Sequence, residues 1–149
     1  MKSIRTLVSM TAVSAETGER IGRVKGVNVD RLLLRVTGLW ISGRLGKASF
    51  YPGESILLLG ERAVMISGDR CKKESGHKFA IRPAFNCAGE MIGAVTNAYC
   101  DEETLLIECL EVGLDVFSDI ARGRRLHRLY TVNEKTGDTV IYEEKEGRR

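Results

Sequence analysis

Several residue types that carry chemistry or rigidity are scarce in this chain of 149 residues. It contains two histidines, two prolines and one tryptophan, and aromatic residues make up 6% of it. No apolar run approaches the roughly 18 residues that a membrane-spanning helix needs. We therefore expect no membrane span, and any site that depends on several histidines is excluded.

The four cysteines, Cys71, Cys87, Cys100 and Cys109, form no C-x-x-C pair, although zinc sites usually contain such close ligand pairs. Three of them lie in apolar stretches, where a reduced thiol behaves as a small hydrophobic group. We interpret them as core residues. A zinc site completed by His77 or His127 is the alternative.

Composition indicates a globular protein rather than a disordered one. Hydrophobic residues make up 43% of the chain, and 23 basic against 20 acidic side chains leave a net charge of only +3. This charge does not by itself indicate a nucleic-acid binder. Lys2 and Arg5 precede a short apolar stretch at 7–13 that loosely resembles a secretory signal, but Ser9 and Thr11 interrupt it. We interpret it as a first β-strand and expect a soluble, cytoplasmic protein.

The chain contains an internal repeat with an offset of 71 positions. Residues 18–30 (GERIGRVKGVNVD) then align with residues 89–101 (GEMIGAVTNAYCD), and six of the thirteen pairs are identical. Average composition gives about one identity by chance over this length. The sequence therefore predicts two copies of one structural unit.

Each copy is predicted to open with a hairpin turn and a bent strand. Gly18 and Gly89 stand where a turn can take a positive φ before a strand begins. The inward-facing phase of the strand then shifts near Gly26 and, in the second copy, at Asn97. Both residue types tolerate the left-handed conformation, so we expect a β-bulge that bends the strand, as a small closed barrel requires.

The other apolar runs are short and β-prone, with glycine-containing turns between them. The predicted strands cover 32–41, 48–51, 56–59 and 63–66 in the first copy and 105–112, 124–132 and 139–142 in the second. Residues 116–122 predict one or two helical turns. The predicted fold is all-β: two tandem small, strongly bent β-barrels, with a short helical turn in the second. The predicted domains are a first barrel at 1–68, a polar linker at 69–77, a second barrel at 78–143 and a solvated tail at 144–149.

Three features together resemble the PRC-barrel family. They are a turn followed by a Gly-Glu-x-Ile-Gly-x-Val strand, a long apolar strand after it, and a closing segment such as Ile56–Ile66. The resemblance covers residues 1–67 and 78–143. It implies compact, strongly bent barrels that dock to partners, as in the ribosome-maturation factor and the photosynthetic reaction-centre H subunit, and it brings no catalytic residue. The second copy departs from the first by carrying Arg122-Gly-Arg-Arg125 where the first has Pro52-Gly-Glu54, so the two barrels need not bind the same partner.

No residues in the sequence have the spacing of a catalytic, metal or cofactor site. Gly18-x-x-x-Gly22 lacks the ending of a phosphate-binding loop. Asp101-Glu102-Glu103 is interpreted as a polar hairpin turn, with a cation site as the alternative. Trp40 and Phe50-Tyr51 are interpreted as core and rim residues of the first barrel. We therefore predict no catalytic residue, no metal and no cofactor.

The most suggestive patch in the sequence is basic and lies in the second copy. It consists of Arg122, Arg124, Arg125, His127 and Arg128. Five potential donors within seven residues can bind an acidic protein face or RNA phosphates. A solvated surface neutralised by Asp115 and Asp119 is the alternative, because interleaved aromatic residues are missing.

We expect a cytoplasmic, non-catalytic binding or adaptor module that docks to a larger protein assembly through barrel surfaces or strand edges. The alternative is an RNA- or ribosome-associated factor that binds phosphates through the arginine cluster at 122–128. Each barrel has roughly 65 to 70 residues, a size at which one core is marginal, so the copies are expected to pack together or to form a homodimer.

Overall fold

The computed structural model describes residues 1–43, 45–113 and 125–142. These residues are almost entirely β-structure, arranged as two strongly curled sheets of seven strands each. The prediction of an all-β fold with two barrel-like units is therefore confirmed. The helical turn predicted at 116–122 lies outside the described residues.

The strands are short apart from one ten-residue strand in each copy. In chain order they are β1 (Lys2–Ser3), β2 (Thr11–Ser14), β3 (Arg20–Val29), β4 (Val36–Ser42), β5 (Ala48–Pro52), β6 (Ile56–Leu59), β7 (Ala63–Ile66), β8 (His77–Lys78), β9 (Arg82–Phe85), β10 (Met91–Cys100), β11 (Ile107–Gly113), β12 (Arg125–His127), β13 (Tyr130–Val132) and β14 (Thr139–Ile141). A helical turn, α1 (Ile4–Leu7), follows β1, and a 3-10 turn at Gly53–Ser55 precedes β6.

The two sheets have the same topology. The first runs β5-β4-β3-β2-β7-β6, and the second runs β12-β11-β10-β9-β14-β13. The bounds of β2, β3 and β4 differ from those of β9, β10 and β11 by 71 residues, so the repeat seen in the sequence is also a repeat of structure. In both sheets the closing strand pairs in parallel with the opening one, β7 with β2 and β14 with β9.

Three predicted boundaries were wrong. The stretch 7–13 is not one strand, because Ile4–Leu7 forms α1 and the strand begins at Thr11. The strand predicted from 32 begins at Val36, because Asp30 Oδ1 accepts the backbone N–H groups of Leu34 and Arg35 at 2.6 and 2.9 Å and so closes a turn. The strand predicted at 124–132 is divided into β12 and β13, which border opposite edges of the sheet.

The predicted β-bulges are present at equivalent places in both copies. The pairing of β3 with β4 shifts between Val24 and Gly26, and that of β10 with β11 shifts between Val95 and Asn97. The extra residues are therefore Lys25 and Thr96, which are 71 positions apart. Gly26 and Asn97 do not have positive φ values, so the expected left-handed conformation was wrong. The inserted residue itself produces the bend.

The backbone explains why both copies of the repeated motif have glycine at the same two positions. Gly18 and Gly89 have φ values of 74° and 81°, which confirms the predicted turn. A Cβ on Gly22 would lie 1.7 Å from Ser42 O, and one on Gly93 would lie 2.2 Å from Gly113 O. The second glycine of each motif is therefore required because the backbone of the next strand passes directly over it.

The two copies exchange their leading strands. β1, from the first copy, pairs with β10 of the second, with Lys2 opposite Cys100. β8, which precedes the second copy, pairs with β3 of the first, with His77 opposite Val29. Val29 and Cys100 are equivalent residues of the repeat, so the exchange is reciprocal.

The contact between the copies has the hydrogen-bond pattern of a local twofold axis. Arg35 and its repeat equivalent Leu106 form an antiparallel bridge. On one side of it Val36 N donates to Leu105 O at 2.8 Å, and on the other Ile107 N donates to Leu34 O at 2.9 Å. Each bond is the repeat equivalent of the other. The buried apolar side chains of both copies form one continuous cluster, so the two sheets share a core.

The segment predicted as a linker follows the surface of the first sheet. Cys71 N donates to Phe50 O at 2.7 Å, and the amide of Asn28 donates to Glu74 Oε2 at 3.0 Å. Thr37 Oγ1 donates to Ser75 O at 2.6 Å. These bonds guide the chain from the first sheet to β8.

Candidate functional site

Three members of the predicted basic cluster lie in the described part of the chain. Arg125 and His127 belong to β12, and Arg128 directly follows it. Both arginines are exposed, and His127 is half-buried. Arg122 and Arg124 lie outside the described residues. The structure thus places Arg125 and Arg128 on the surface.

Two leucines in the same segment are exposed, and the sequence prediction missed them. Leu126 and Leu129 are each 51% exposed, although leucine is usually buried. The signal was present as Arg-Leu-His-Arg-Leu, in which each leucine directly follows a basic residue. We call residues Arg125 to Leu129 the 125–129 surface.

The strand β12 lies at an edge of the second sheet. Its residues pair with β11 only among the described strands, with Arg125 opposite Val112 and Leu126 opposite Glu111. Glu111 is 4% exposed, and the Tyr99 hydroxyl lies 3.3 Å from its Oε1. A strand with an open edge can accept a strand from a partner.

Two described tyrosines lie beside this surface: the backbone N–H of Tyr142, which is 42% exposed, donates to Leu129 O at 3.0 Å, and Tyr130 takes part in the contact between the copies. The Tyr130 hydroxyl donates to Leu33 O at 2.5 Å. Burial, followed by the nearby charge of Asp30, raises the pKa of Tyr130 to about 12. The ring of Tyr130 is half-buried and packs against the core.

The acidic run after β10 forms a turn, as predicted. Asp101 Oδ1 accepts the backbone N–H groups of Glu103 and Thr104 at 2.9 and 2.8 Å. These hydrogen bonds, Thr104 first, hold the pKa of Asp101 below its usual range. The carboxylate of Asp101 thus stabilises the turn through these hydrogen bonds. No group of three metal-binding side chains is found in residues 1–43, 45–113 and 125–142.

The cysteine prediction was correct for two residues and wrong for the other two. Cys100 and Cys109 are buried, whereas Cys71 and Cys87 are exposed. The reason is that Cys71 lies in the segment that runs over the first sheet and Cys87 in the turn before β10. Burial raises the pKa of the Cys100 thiol to about 12, so it is fully protonated at neutral pH.

The aromatic residues of the first copy occupy the core and its rim, as predicted. Phe50 is 2% exposed and lies against Trp40, with ring centroids 5.4 Å apart and planes tilted by 60°. The Trp40 indole N–H donates to Asn28 Oδ1 at 3.1 Å, and Lys78 Nζ lies 5.3 Å from the centre of its ring. The ring of this half-buried side chain thus contacts an aromatic ring and a cation, and its polar edge is hydrogen-bonded.

A scan against protein-family models finds no match to this chain. A search of curated proteins likewise finds none. In the part of the chain that the structure describes, no helix has the length and apolarity needed to cross a membrane. The fold class therefore stands on the structure alone, and the PRC-barrel resemblance stays a prediction.

Proposed function

We propose that this protein is a non-catalytic adaptor module that docks to a larger protein assembly through the 125–129 surface. The observation that carries the proposal is the exposure of Leu126 and Leu129 next to the exposed Arg125 and Arg128. Two exposed leucines three positions apart in one short segment favour a partner that removes them from water. Arginines at the border of such a patch favour a partner with acidic groups around an apolar centre.

The edge of β12 that faces away from β11 pairs with no other described strand, and this supports the same proposal. A partner strand added beside Arg125–His127 would form backbone hydrogen bonds, while the side chains of the surface would select the partner. The resemblance to the PRC-barrel family points in the same direction, because that family uses its barrels for docking. This support is an analogy of fold and sets only an expectation for function.

Binding is a better account than catalysis because Glu16 and Asp101, two acidic groups whose pKa is lowered, have structural roles. Glu16 binds Ser67 and Gly68, and Asp101 closes a turn. The groups with a strongly raised pKa, Cys100 and Tyr130, lie in the core and in the contact between the copies. None of these four is paired with a second reactive group in the way that acid–base or nucleophilic catalysis requires.

A protein partner is favoured over RNA by the composition of the surface. Single-stranded RNA is bound by aromatic side chains on which bases stack, together with cations that follow its phosphates. The 125–129 surface itself presents leucines, and of the two tyrosines beside it Tyr130 is half-buried while Tyr142 is 42% exposed. RNA binding through the arginines is the second candidate, supported by the exposed charge of Arg125 and Arg128.

The test is affinity capture of tagged protein from its own cells after mild cross-linking, with and without nuclease. Four chains are compared: the unmodified protein, Leu126→Ser with Leu129→Ser, Arg125→Glu with Arg128→Glu, and the control Leu45→Ser. Leu45 is 92% exposed and lies in the first copy, so the control removes apolar surface elsewhere.

We expect a defined set of proteins that survives nuclease, is lost from the leucine variant and is retained by the control. Loss with the arginine variant alone, together with recovery that nuclease abolishes, would replace this proposal with the RNA candidate. Equal recovery with all four chains would show that the 125–129 surface does not dock. Circular dichroism checks that each variant remains folded.

A further inference from the structure

A groove lies on the molecule at the contact between the copies, and residues of both bulged strands, β3 and β10, line it. Its volume is about 290 Å³, and it is half-open to solvent. Lys25 and Thr96, the extra residues of the two bulges, both line it. Val8 and its repeat equivalent Phe79 line it as well. Residues of both copies therefore form the groove, which exists only because the copies interlock.

The lining of the groove is mainly apolar. Ile4 and Val27 are buried in it, Phe79 is half-buried, and Val8 and Ile81 are 40% and 55% exposed. The first of these belongs to α1, the helical turn that has no counterpart in the described part of the second copy. The bottom of the groove can thus accept aliphatic or aromatic side chains from a partner.

Three cations line the same groove: Arg5, Lys25 and Lys78. No aspartate or glutamate among the described residues lines it. Lys78 lies over Trp40, but Arg5 and Lys25 are exposed and form no ion pair with any described carboxylate. The bulge explains the position of Lys25, since an inserted residue re-aims a side chain out of the regular alternation of the strand.

We propose that this groove binds an acidic peptide segment of a partner protein, with one or two large apolar side chains inserted between flanking carboxylates. The argument is charge complementarity around an apolar floor: cations on the rim attract the carboxylates, and the floor removes the anchor side chains from water. The half-open shape and small volume fit side chains carried by a peptide rather than an enclosed small molecule. This site is separate from the 125–129 surface and does not depend on the function proposed for it.

The test is titration of the isotope-labelled full chain, followed by NMR of its backbone amides. The probe is the peptide Glu-Glu-Leu-Phe-Glu-Glu. Two comparison peptides are Glu-Glu-Ser-Ser-Glu-Glu, which keeps the charge, and Lys-Lys-Leu-Phe-Lys-Lys, which keeps the anchors. We expect the probe to shift the amides of Lys25, Phe79 and Thr96 and to bind at least about fivefold more tightly than either comparison peptide.

Variants separate this groove from the other surface. Lys25→Glu should weaken binding of the probe roughly five- to tenfold, because one attractive charge becomes repulsive. Arg20→Glu is the matched control, since Arg20 is exposed on the same strand but does not line the groove. It should leave binding nearly unchanged, as should Arg125→Glu with Arg128→Glu, so failure here and failure of the proposed function are distinguishable.

Three outcomes would overturn the proposal. The first is amide shifts that lie outside the groove. The second is binding of the serine peptide as tight as that of the probe, which would mean that charge attraction alone, without an inserted apolar side chain, accounts for the binding. The third is absence of peptide binding together with Lys25-dependent sedimentation on vesicles of phosphatidylcholine and phosphatidylglycerol, which would assign the groove to an anionic membrane surface instead.

Discussion

Removal of a buried side chain from the second copy should destabilise the first copy as much as it destabilises the second. Leu110 lies in β11 and is fully buried, and the cluster that contains it includes core residues of both sheets. Trp40, the only tryptophan of the chain, lies in β4 of the first sheet and reports on that sheet alone. The variant Leu110→Ala therefore places the change and the fluorescent reporter in different copies.

The magnitude follows from the burial of Leu110. A fully buried Leu→Ala change costs about 2–5 kcal/mol of unfolding free energy, through lost transfer energy and the cavity left behind. With a denaturant slope of about 2 kcal/mol per molar urea, a loss of about 3 kcal/mol lowers the unfolding midpoint by about 1.5 M. If the copies unfold together, Trp40 fluorescence and far-UV circular dichroism should both show this shift.

The assay is urea unfolding of three variants beside the unmodified chain, followed by both signals. Leu39→Ala, a fully buried change next to Trp40, should give a comparable shift, and Leu45→Ala, at a residue 92% exposed, should give almost none. Independent copies would leave the Trp40 midpoint of Leu110→Ala unchanged and would make the circular dichroism curve biphasic. That result would refute the inference that the sheets share one cooperative core.

Two further predictions concern the backbone contact in the motif and the response to acid. Gly22→Ala should lower the unfolding free energy by more than about 2 kcal/mol, because its Cβ would lie 1.7 Å from Ser42 O. Gly43→Ala should change it little, because the nearest atom to its Cβ would be Ile21 O at 3.9 Å, and thermal unfolding compares the two variants. Hydrogen bonds, that from the Ser67 hydroxyl first, hold the pKa of Glu16 below its ordinary value. Because the folded-state pKa is the lower one, Glu16 stabilises the fold above the unfolded-state pKa and loses this effect as the pH falls through the folded-state pKa. Urea midpoints measured from pH 7 down to pH 3 should therefore fall less for Glu16→Gln than for the unmodified chain, and equal slopes would contradict this role.

The repeat, the all-β class and most strand positions were predictable because they depend on local patterns. Glycine at the turn before each long strand and apolar residues at regular spacing leave few alternatives for the backbone. The bulge was also predictable, because one inserted residue changes which side chains face inward, and this change is visible in the sequence around Lys25 and Thr96.

The candidate sites were only partly predictable. The charges of Arg125 and Arg128 can be read directly, but the exposure of Leu126 and Leu129 depends on which strands border β12. A leucine pattern alone does not distinguish a covered strand from an edge strand. The groove was not predictable at all, because residues far apart in the chain form it, such as Arg5, Lys25 and Phe79.

The sequence by itself determined that the chain would form two similar, strongly bent units of β-structure, since turn chemistry and hydrophobic periodicity act over a few residues. Only the tertiary structure decided that the units exchange β1 and β8, that Arg35 and Leu106 meet at a local twofold axis, and that one core serves both sheets. The physical reason is that strand pairing between copies depends on free backbone groups and on apolar surface left uncovered by each copy. Those quantities exist only once the strands are folded, so no local pattern encodes them.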